Sequence, residues 1–232
     1  MSHQAGHSQH AIRYETVAAL KRVPVKECGE QMVDLRRLKC ARLNLRPSLV
    51  LLDHGTYMRQ SITKMLVRAA HFLPAGYKIL VTSAYRNLKR QEWAYRKYGR
   101  ILSKHHPEWS RAVLARELNK LVFPPHAGVA PYHTTGGAVD VYIANTAGHR
   151  LKHWDTTRLA EADSDHPGLS LKAQTNRDLL KKVMIQAGFS NYPAEFWHWS
   201  YGDTGWAFRT GAPKAIYDGV TPELLAGSLL AD

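Results

Sequence analysis

Two short segments far apart in the chain, His133-Thr-Thr-Gly-Gly-Ala-Val-Asp140 and Glu195-Phe-Trp-His198, restrict the possible folds more than any other feature. They hold two histidines and two carboxylates, which the fold must bring together if they act at one point. His133 and Asp140 are seven positions apart, so on one straight strand they would face opposite sides of a sheet. Gly136-Gly137 relieves this, because glycine accepts the turn and bulge conformations that re-aim a side chain. His133 is therefore expected in a loop folded back over the start of a strand at Ala138 to Ile143, with Asp140 aimed at the same point. Pro193 and the aromatic run Phe196-Trp197-His198-Trp199 argue for an extended second segment rather than a helix. That reading puts Glu195 at the mouth of a strand and His198 inside it.

The donor types point to a metal. Imidazole nitrogen and carboxylate oxygen suit zinc, and a catalytic zinc site keeps three protein ligands and one open position. His133, Asp140 and His198 fill three places around one Zn²⁺ per chain. Glu195 is left over as a base beside the open position, where a carboxylate can take a proton from water and hand it on.

At these residues the chain resembles the zinc D-alanyl-D-alanine peptidases, whose pattern H-x-x-G-x-A-x-D followed by E-x-W-H it matches. The longer string Glu195-Phe-Trp-His-Trp-Ser-Tyr-Gly-Asp203 is most similar to their VanX-type dipeptidase branch, and Ser83-Ala-Tyr-Arg86 matches a third segment. The resemblance runs roughly from Gly76 to Trp206. It implies the zinc D,D-peptidase, hedgehog-like fold, with D-Ala-D-Ala or a similar short D-peptide as substrate. It also implies that Arg86 steadies the oxyanion, a role in which a fixed donor contributes about 3 kcal/mol or more. A zinc D,D-carboxypeptidase acting on longer cell-wall peptides is the nearest alternative, and a noncatalytic zinc-stabilised binding module a more distant one. Against the module stands Glu195, since a purely structural site needs no base.

Two departures from the family pattern concern substrate. Pro131 stands where family members often carry a serine whose hydroxyl binds the substrate carboxylate. The segment Gly148 to Asp155 lacks the Met-Gly-Thr-type sequence of the dipeptidases, which leaves Asp155, Glu161, Asp163 and Asp165 as candidates for holding the substrate ammonium group.

The remainder of the 232 residues reads as one domain over 21–232 behind a flexible tail over 1–20. Met1 to His10 is polar and lacks the apolar core of a secretory signal, and no run is long enough to span a membrane. A soluble, cytoplasmic protein is expected, with at most loose metal binding by the tail histidines His3, His7 and His10. Cys28 and Cys40 lack C-x-x-C spacing and are expected as reduced thiols. The net charge of +13 would attract phosphate backbones. However, no helix-turn-helix, zinc-finger or RNP-type pattern accompanies it, and the basic residues over 86–120 fall on the solvent faces of amphipathic helices. No specific nucleic-acid partner is expected.

Short strands and loops are expected over 23–52. Helical spacing of Met58, Ile62, Met65, Leu66, Ala69 and Leu73 predicts a helix from Thr56 that ends at Pro74 and Gly76. A strand follows at Tyr77 to Ser83, then helices at Asn87 to Leu102 and Pro107 to Leu121, the latter with Pro107 in its first turn. His105, His106 and His126 are rival ligands without partners at useful spacing. The polar stretch over 145–168 is expected to form a rim or lid. Ser170 opens a helix that Gly188 closes. Trp197 and Trp199 are assigned to packing, and Asp203 to a turn. With no repeating β-α-β rhythm, the class is α+β, a mainly antiparallel central sheet with packed helices.

Overall fold

The computed structural model describes residues 15–155 and 159–227. In chain order it contains α1 (Val17–Leu20), β1 (Met32–Asp34), β2 (Leu43–Leu45), α2 (Pro47–Val50), β3 (Tyr57–Arg59), α3 (Gln60–Phe72), β4 (Tyr77–Ser83) and α4 (Leu88–His105). Then come α5 (Arg111–Leu121), β5 (Ala138–Asn145), α6 (Leu171–Ala187), β6 (Ser190–Asn191), β7 (His198–Ser200), α7 (Thr204–Thr210) and α8 (Pro222–Gly227). Five of the described strands form a sheet in the order β2-β4-β5-β7-β6. The β2–β4 pairing is parallel and the other three are antiparallel. β1 and β3 make a separate antiparallel pair. The α+β class with a mainly antiparallel sheet and packed helices is therefore the one observed.

Periodicity explains which face is covered. α3 buries Ile62, Met65, Leu66, Ala69 and Ala70, and α6 buries Ala173, Leu180, Val183, Met184 and Ala187. Both stripes pack with Ile79, Val81, Val139, Val141 and Ile143 of the sheet in one core. Each large apolar side chain fully buried there contributes about 1.5–3 kcal/mol. Because side chains alternate along β5, Ala138 and Asp140 point away from that core. Asp140 thus lies on the face opposite α3 and α6, where Ala138 packs with Leu20 of α1 and Phe208 of α7. α4 and α5 form a hairpin with its own cluster of Ala94, Leu102, Leu118 and Val122.

Beyond Asp140 the β5–β7 ladder stops, which would leave the far end of β5 with an open edge. The stretch after β5 covers it. Leu151 N–H donates to Ile143 O at 2.9 Å, Ile143 N–H donates to His153 Nε2 at 3.1 Å, and Arg150 bridges to Ala144. The part of the expected rim that follows is likewise packed in. Arg177 of α6 lies 3.9 Å from the centroid of the Phe196 ring and donates to the carbonyls of His153, Asp163 and Glu161. Residues 156–158 lie outside the described residues.

Several expectations shift. Met58 belongs to β3, and α3 begins only at Gln60, because Tyr57–Arg59 pairs with β1. Pro107 lies outside α5, which starts at Arg111 under a Ser110 cap that accepts from Val113 N–H at 3.3 Å. Asp203 is more than a turn residue: fully buried, it caps α7 by accepting from Trp206 N–H at 2.6 Å. The strand at Tyr77–Ser83 and the Ser170 and Gly188 caps fall where expected. Cys28 and Cys40 are free thiols. Residues 15–20, read as tail, carry α1 with Ala19 and Leu20 buried, while the tail histidines lie outside the described residues. Among the described residues no helix is long and apolar enough to cross a membrane.

His153 supplies a pH test of this edge closure. Burial pushes its imidazole down from 6.5 to about 4, so between those values the unfolded chain binds more protons than the fold. The stability it contributes is present above about pH 6.5 and falls as the pH drops toward 4, by up to about 3 kcal/mol. Urea unfolding followed across that range should show this decline in the wild type and a flatter profile in His153→Gln. Parallel profiles would mean that His153 is already charged in the folded protein.

Candidate metal centre

β5 and β7 bring the two sequence segments together directly. Asp140 and His198 are cross-strand partners, so their side chains emerge on the same face. Ahead of β5, Tyr132–Thr135 forms one short 3-10 turn, and Gly136 follows at φ +72°. This left-handed residue reverses the chain, as the glycine pair predicted, and returns His133 over the start of β5. A β-carbon at Gly137 would lie 2.6 Å from the Tyr201 carbonyl oxygen, so the backbone can pass β7 here only without a side chain.

The second segment is a tight turn leading into β7. His198 N–H donates to Glu195 O at 3.0 Å, and the Asn191 amide donates to the carbonyls of Glu195 and His198 at 3.1 and 2.9 Å. Glu195 is thereby aimed from the turn and His198 from the strand.

Asp140 Oδ1 lies 3.3 Å from His133 Nε2 and 3.0 Å from His198 Nδ1. The imidazoles stand edge to face with centroids 4.9 Å apart, and all three ligating atoms lie within 4.8 Å of one another. Zinc bonds of ~2.0–2.1 Å at tetrahedral angles separate ligand atoms by about 3.3 Å, so the donor set fits such an ion. The nitrogens are also assigned. His133 Nδ1 is engaged with Ala84 O at 2.8 Å, leaving Nε2 for the centre, while His198 Nε2 is buried without a hydrogen-bond partner and Nδ1 faces Asp140. The histidine side chains are 8% and 5% exposed, against 14% and 17% for Asp140 and Glu195, so the cluster opens toward solvent on its carboxylate side.

Electrostatics separate the two carboxylates. Burial alone would raise both. The adjacent imidazoles of His133 and His198 nevertheless hold Asp140 well below the usual carboxylate range. Glu195, with Oε2 4.0 Å from His198 Nδ1, is pushed up to about 8 by burial and by the charge on Asp140. One carboxylate is kept ionised, and the other is poised to exchange a proton. Burial lowers His133, whereas the hydrogen bond and charge of Asp140 raise His198 against its burial.

Arg86 is tied to the same loop: its backbone N–H donates to His133 O at 3.1 Å, reciprocating the bond from His133 to Ala84. Its guanidinium donates to Gln91 Oε1 at 3.0 Å, and Gln91 is fixed in turn by donating to Phe123 O at 2.7 Å. The structure thus brings together all five residues singled out from the sequence.

Gln91 escaped sequence reading, as did Arg59, which is 0% exposed. Arg59 Nε donates to Thr135 O at 2.8 Å and its terminal nitrogens contact Glu27 at 2.9 and 3.0 Å, clamping the histidine loop from behind. An arginine inside the apolar stretch Tyr57-Met58-Arg59, with Glu27 and Glu30 in a basic neighbourhood, was the available signal.

The rival histidines lie elsewhere: His106 stacks on Trp109, His126 pairs with Glu92 at 3.0 Å, and His105 is exposed on α4. Trp199 is core and Trp197 packs between Tyr142 and Trp154. The acids considered for a substrate amine have other attachments. Glu161 accepts from Asp155 N–H at 2.7 Å, Asp163 accepts from Asp165 N–H at 2.9 Å, and Asp165 pairs with Lys181 at 3.5 Å.

Residues 54–217 match the family described as D-ala-D-ala dipeptidase, Peptidase_M15. A D-alanyl-D-alanine dipeptidase of Synechocystis sp. is 24% identical in an alignment that covers 81% of this chain and 88% of that protein. Among solved structures, the LdcB LD-carboxypeptidase, described as revealing the molecular basis of peptidoglycan recognition, is similar at a TM-score of 0.39 and 17% identity. That match covers 69% of this chain and 67% of the other, too weak a likeness to bear on function.

The two glycines of the loop should differ in their tolerance of a methyl group. In Gly136→Ala the β-carbon meets the flexible end of Met32 and the left-handed backbone costs about 1–2 kcal/mol. In Gly137→Ala it meets a backbone carbonyl on the β7 side, and overpacking of about 3 kcal/mol is expected. Urea unfolding should therefore rank Gly137→Ala as the less stable variant; the reverse order would mean that the loop yields at Tyr201.

Proposed function

Because the chain belongs to the D-ala-D-ala dipeptidase family, Peptidase_M15, we propose that it is a zinc-dependent peptidase hydrolysing D-Ala-D-Ala or a similar short D-peptide. The observation that carries this reading is the division of labour at the centre: a His133, Asp140, His198 donor set, with Glu195 4.0 Å from His198 and outside that set. When bound there, Zn²⁺ would supply Lewis-acid polarisation of the peptide carbonyl and a lowered pKa for water.

The chain's own residues do the rest. Glu195 takes a proton from the attacking water and delivers it to the departing amine nitrogen, so one water adds across the peptide bond and two amino acids leave. Burial and the Asp140 charge raise Glu195 toward neutrality, which suits a group that must both accept and donate. Arg86, held by Gln91 and by the His133 loop, meets the negative charge that develops on the carbonyl oxygen.

A second reading, a D,D-carboxypeptidase on longer cell-wall peptides, draws support from one observation. Three of the four acids considered for a free substrate amine, Glu161, Asp163 and Asp165, have partners within the fold.

Release of D-alanine from D-Ala-D-Ala by zinc-loaded protein, compared with chelator-treated protein, tests the main reading. The same assay on the N-acylated dipeptide separates the two. Activity on the free dipeptide alone supports a dipeptidase, activity on the acylated form the carboxypeptidase, and no zinc-dependent release from either would sink both. Glu195→Gln should retain zinc while the rate falls by about 10²–10⁴. Arg86→Ala should lower it by about 10²–10³. Near-normal turnover in either variant would remove that residue from its role.

A further inference from the structure

The two halves of the metal motif are joined a second time, behind the centre, by a residue that precedes the first helix. Glu15 is 2% exposed in its side chain and faces Arg209 of α7, itself 11% exposed. One carboxylate oxygen pairs with an Arg209 terminal nitrogen and the other accepts from the Tyr132 hydroxyl. Arg209 continues the chain of contacts, donating to Ser200 Oγ at 2.5 Å and Ser190 Oγ at 3.1 Å; Ser200 in turn donates to Asp203 Oδ1 at 3.0 Å. Tyr132 immediately precedes His133, and its ring lies 5.6 Å from that of His198. Ser200 ends β7, two residues after His198.

From this geometry we propose that Glu15 is a positioning residue of the metal centre. Acting through Tyr132 on one side and Arg209 on the other, it fixes the His133 loop against the His198 strand. The inference rests on the zinc reading of the preceding section. A carboxylate whose side chain is 2% exposed and has two partners on separate elements holds both in register, because losing either partner would leave a buried charge under-paired. Groups behind metal ligands act in this way when they restrict ring orientation, and their loss typically weakens metal binding by about 10–100-fold.

Zinc affinity measured by competition with a chromophoric chelator tests the proposal, using the full chain and the variants Glu15→Ala, Glu15→Gln, Tyr132→Phe and Asp140→Asn. Leu118→Ala, in the separate α4–α5 cluster, serves as a control for general destabilisation. Glu15→Ala should bind zinc about 10–100-fold more weakly than wild type, with Glu15→Gln and Tyr132→Phe between them and Leu118→Ala unchanged. Wild-type affinity in folded Glu15→Ala, or an equal loss in Leu118→Ala, would overturn the positioning role and leave the metal centre standing. If Glu15→Ala does not fold, wild-type affinity in both Glu15→Gln and Tyr132→Phe overturns it. Should Asp140→Asn bind zinc as tightly as wild type, the metal-centre reading fails and the role of Glu15 with it.

Discussion

A carboxylate held between two imidazoles, Asp140 Oδ1 at 3.3 Å from His133 and 3.0 Å from His198, is the interaction around which the rest of the structure is arranged. Burial disfavours its charge, and the two rings offset that penalty only if both stay close. Closeness is purchased in backbone rather than in side chains. The Asp140–His198 register fixes one ring from within the sheet, and the turn at Gly136 fixes the other from outside it.

The supports radiate from that point in layers. Behind the histidine loop stands Arg59, bonded to Thr135 O and Glu27; beside it, Arg86 N–H donates to His133 O and the His133 ring nitrogen Nδ1 engages Ala84 O. Arg209 lies under β7, and Arg177 behind the Phe196 turn. Three of these arginines, Arg59, Arg177 and Arg209, are buried or nearly so and hold carbonyls and carboxylates in place. None of the three lies in the basic stretch over 86–120 that was assigned to solvent faces. Part of the charge of +13 instead fastens loops to the sheet.

What was legible in the sequence was what depends on neighbours along the chain. The Tyr77–Ser83 strand, the Ser170 and Gly188 caps and the Gly136-Gly137 reversal each follow from a few adjacent residues. The five residues proposed for the site could be singled out because their types and spacings match one chemistry. Where the reading slipped, a distant partner decided most outcomes. Met58 has helical spacing with Ile62 and Met65, yet pairing with β1 draws it into a strand. Asp203 is the exception: its partners Ser200 and Trp206 are each three positions away, and the local cap hides among turn residues. Arg59 and Gln91 act through partners 76 and 32 positions away, so no local pattern announces them.

The same distinction bears on substrate choice. The residues proposed as catalytic come from close sequence motifs, whereas the segments considered for the two ends of a peptide substrate carry no such pattern. After β5 the chain is spent on covering an open sheet edge through Leu151 and His153, and then on satisfying Arg177. Acids enlisted in that packing are attached to the rear of the fold: moving Glu161 toward a substrate amine would leave Asp155 N–H without its 2.7 Å acceptor. Pro131, at the opposite end, caps the 3-10 turn and contributes only a carbonyl, which already accepts from Thr134 Oγ1 at 2.7 Å. The residues proposed as the reactive centre are thus each fixed by backbone contacts, while Glu161 and the Pro131 carbonyl already serve the fold itself.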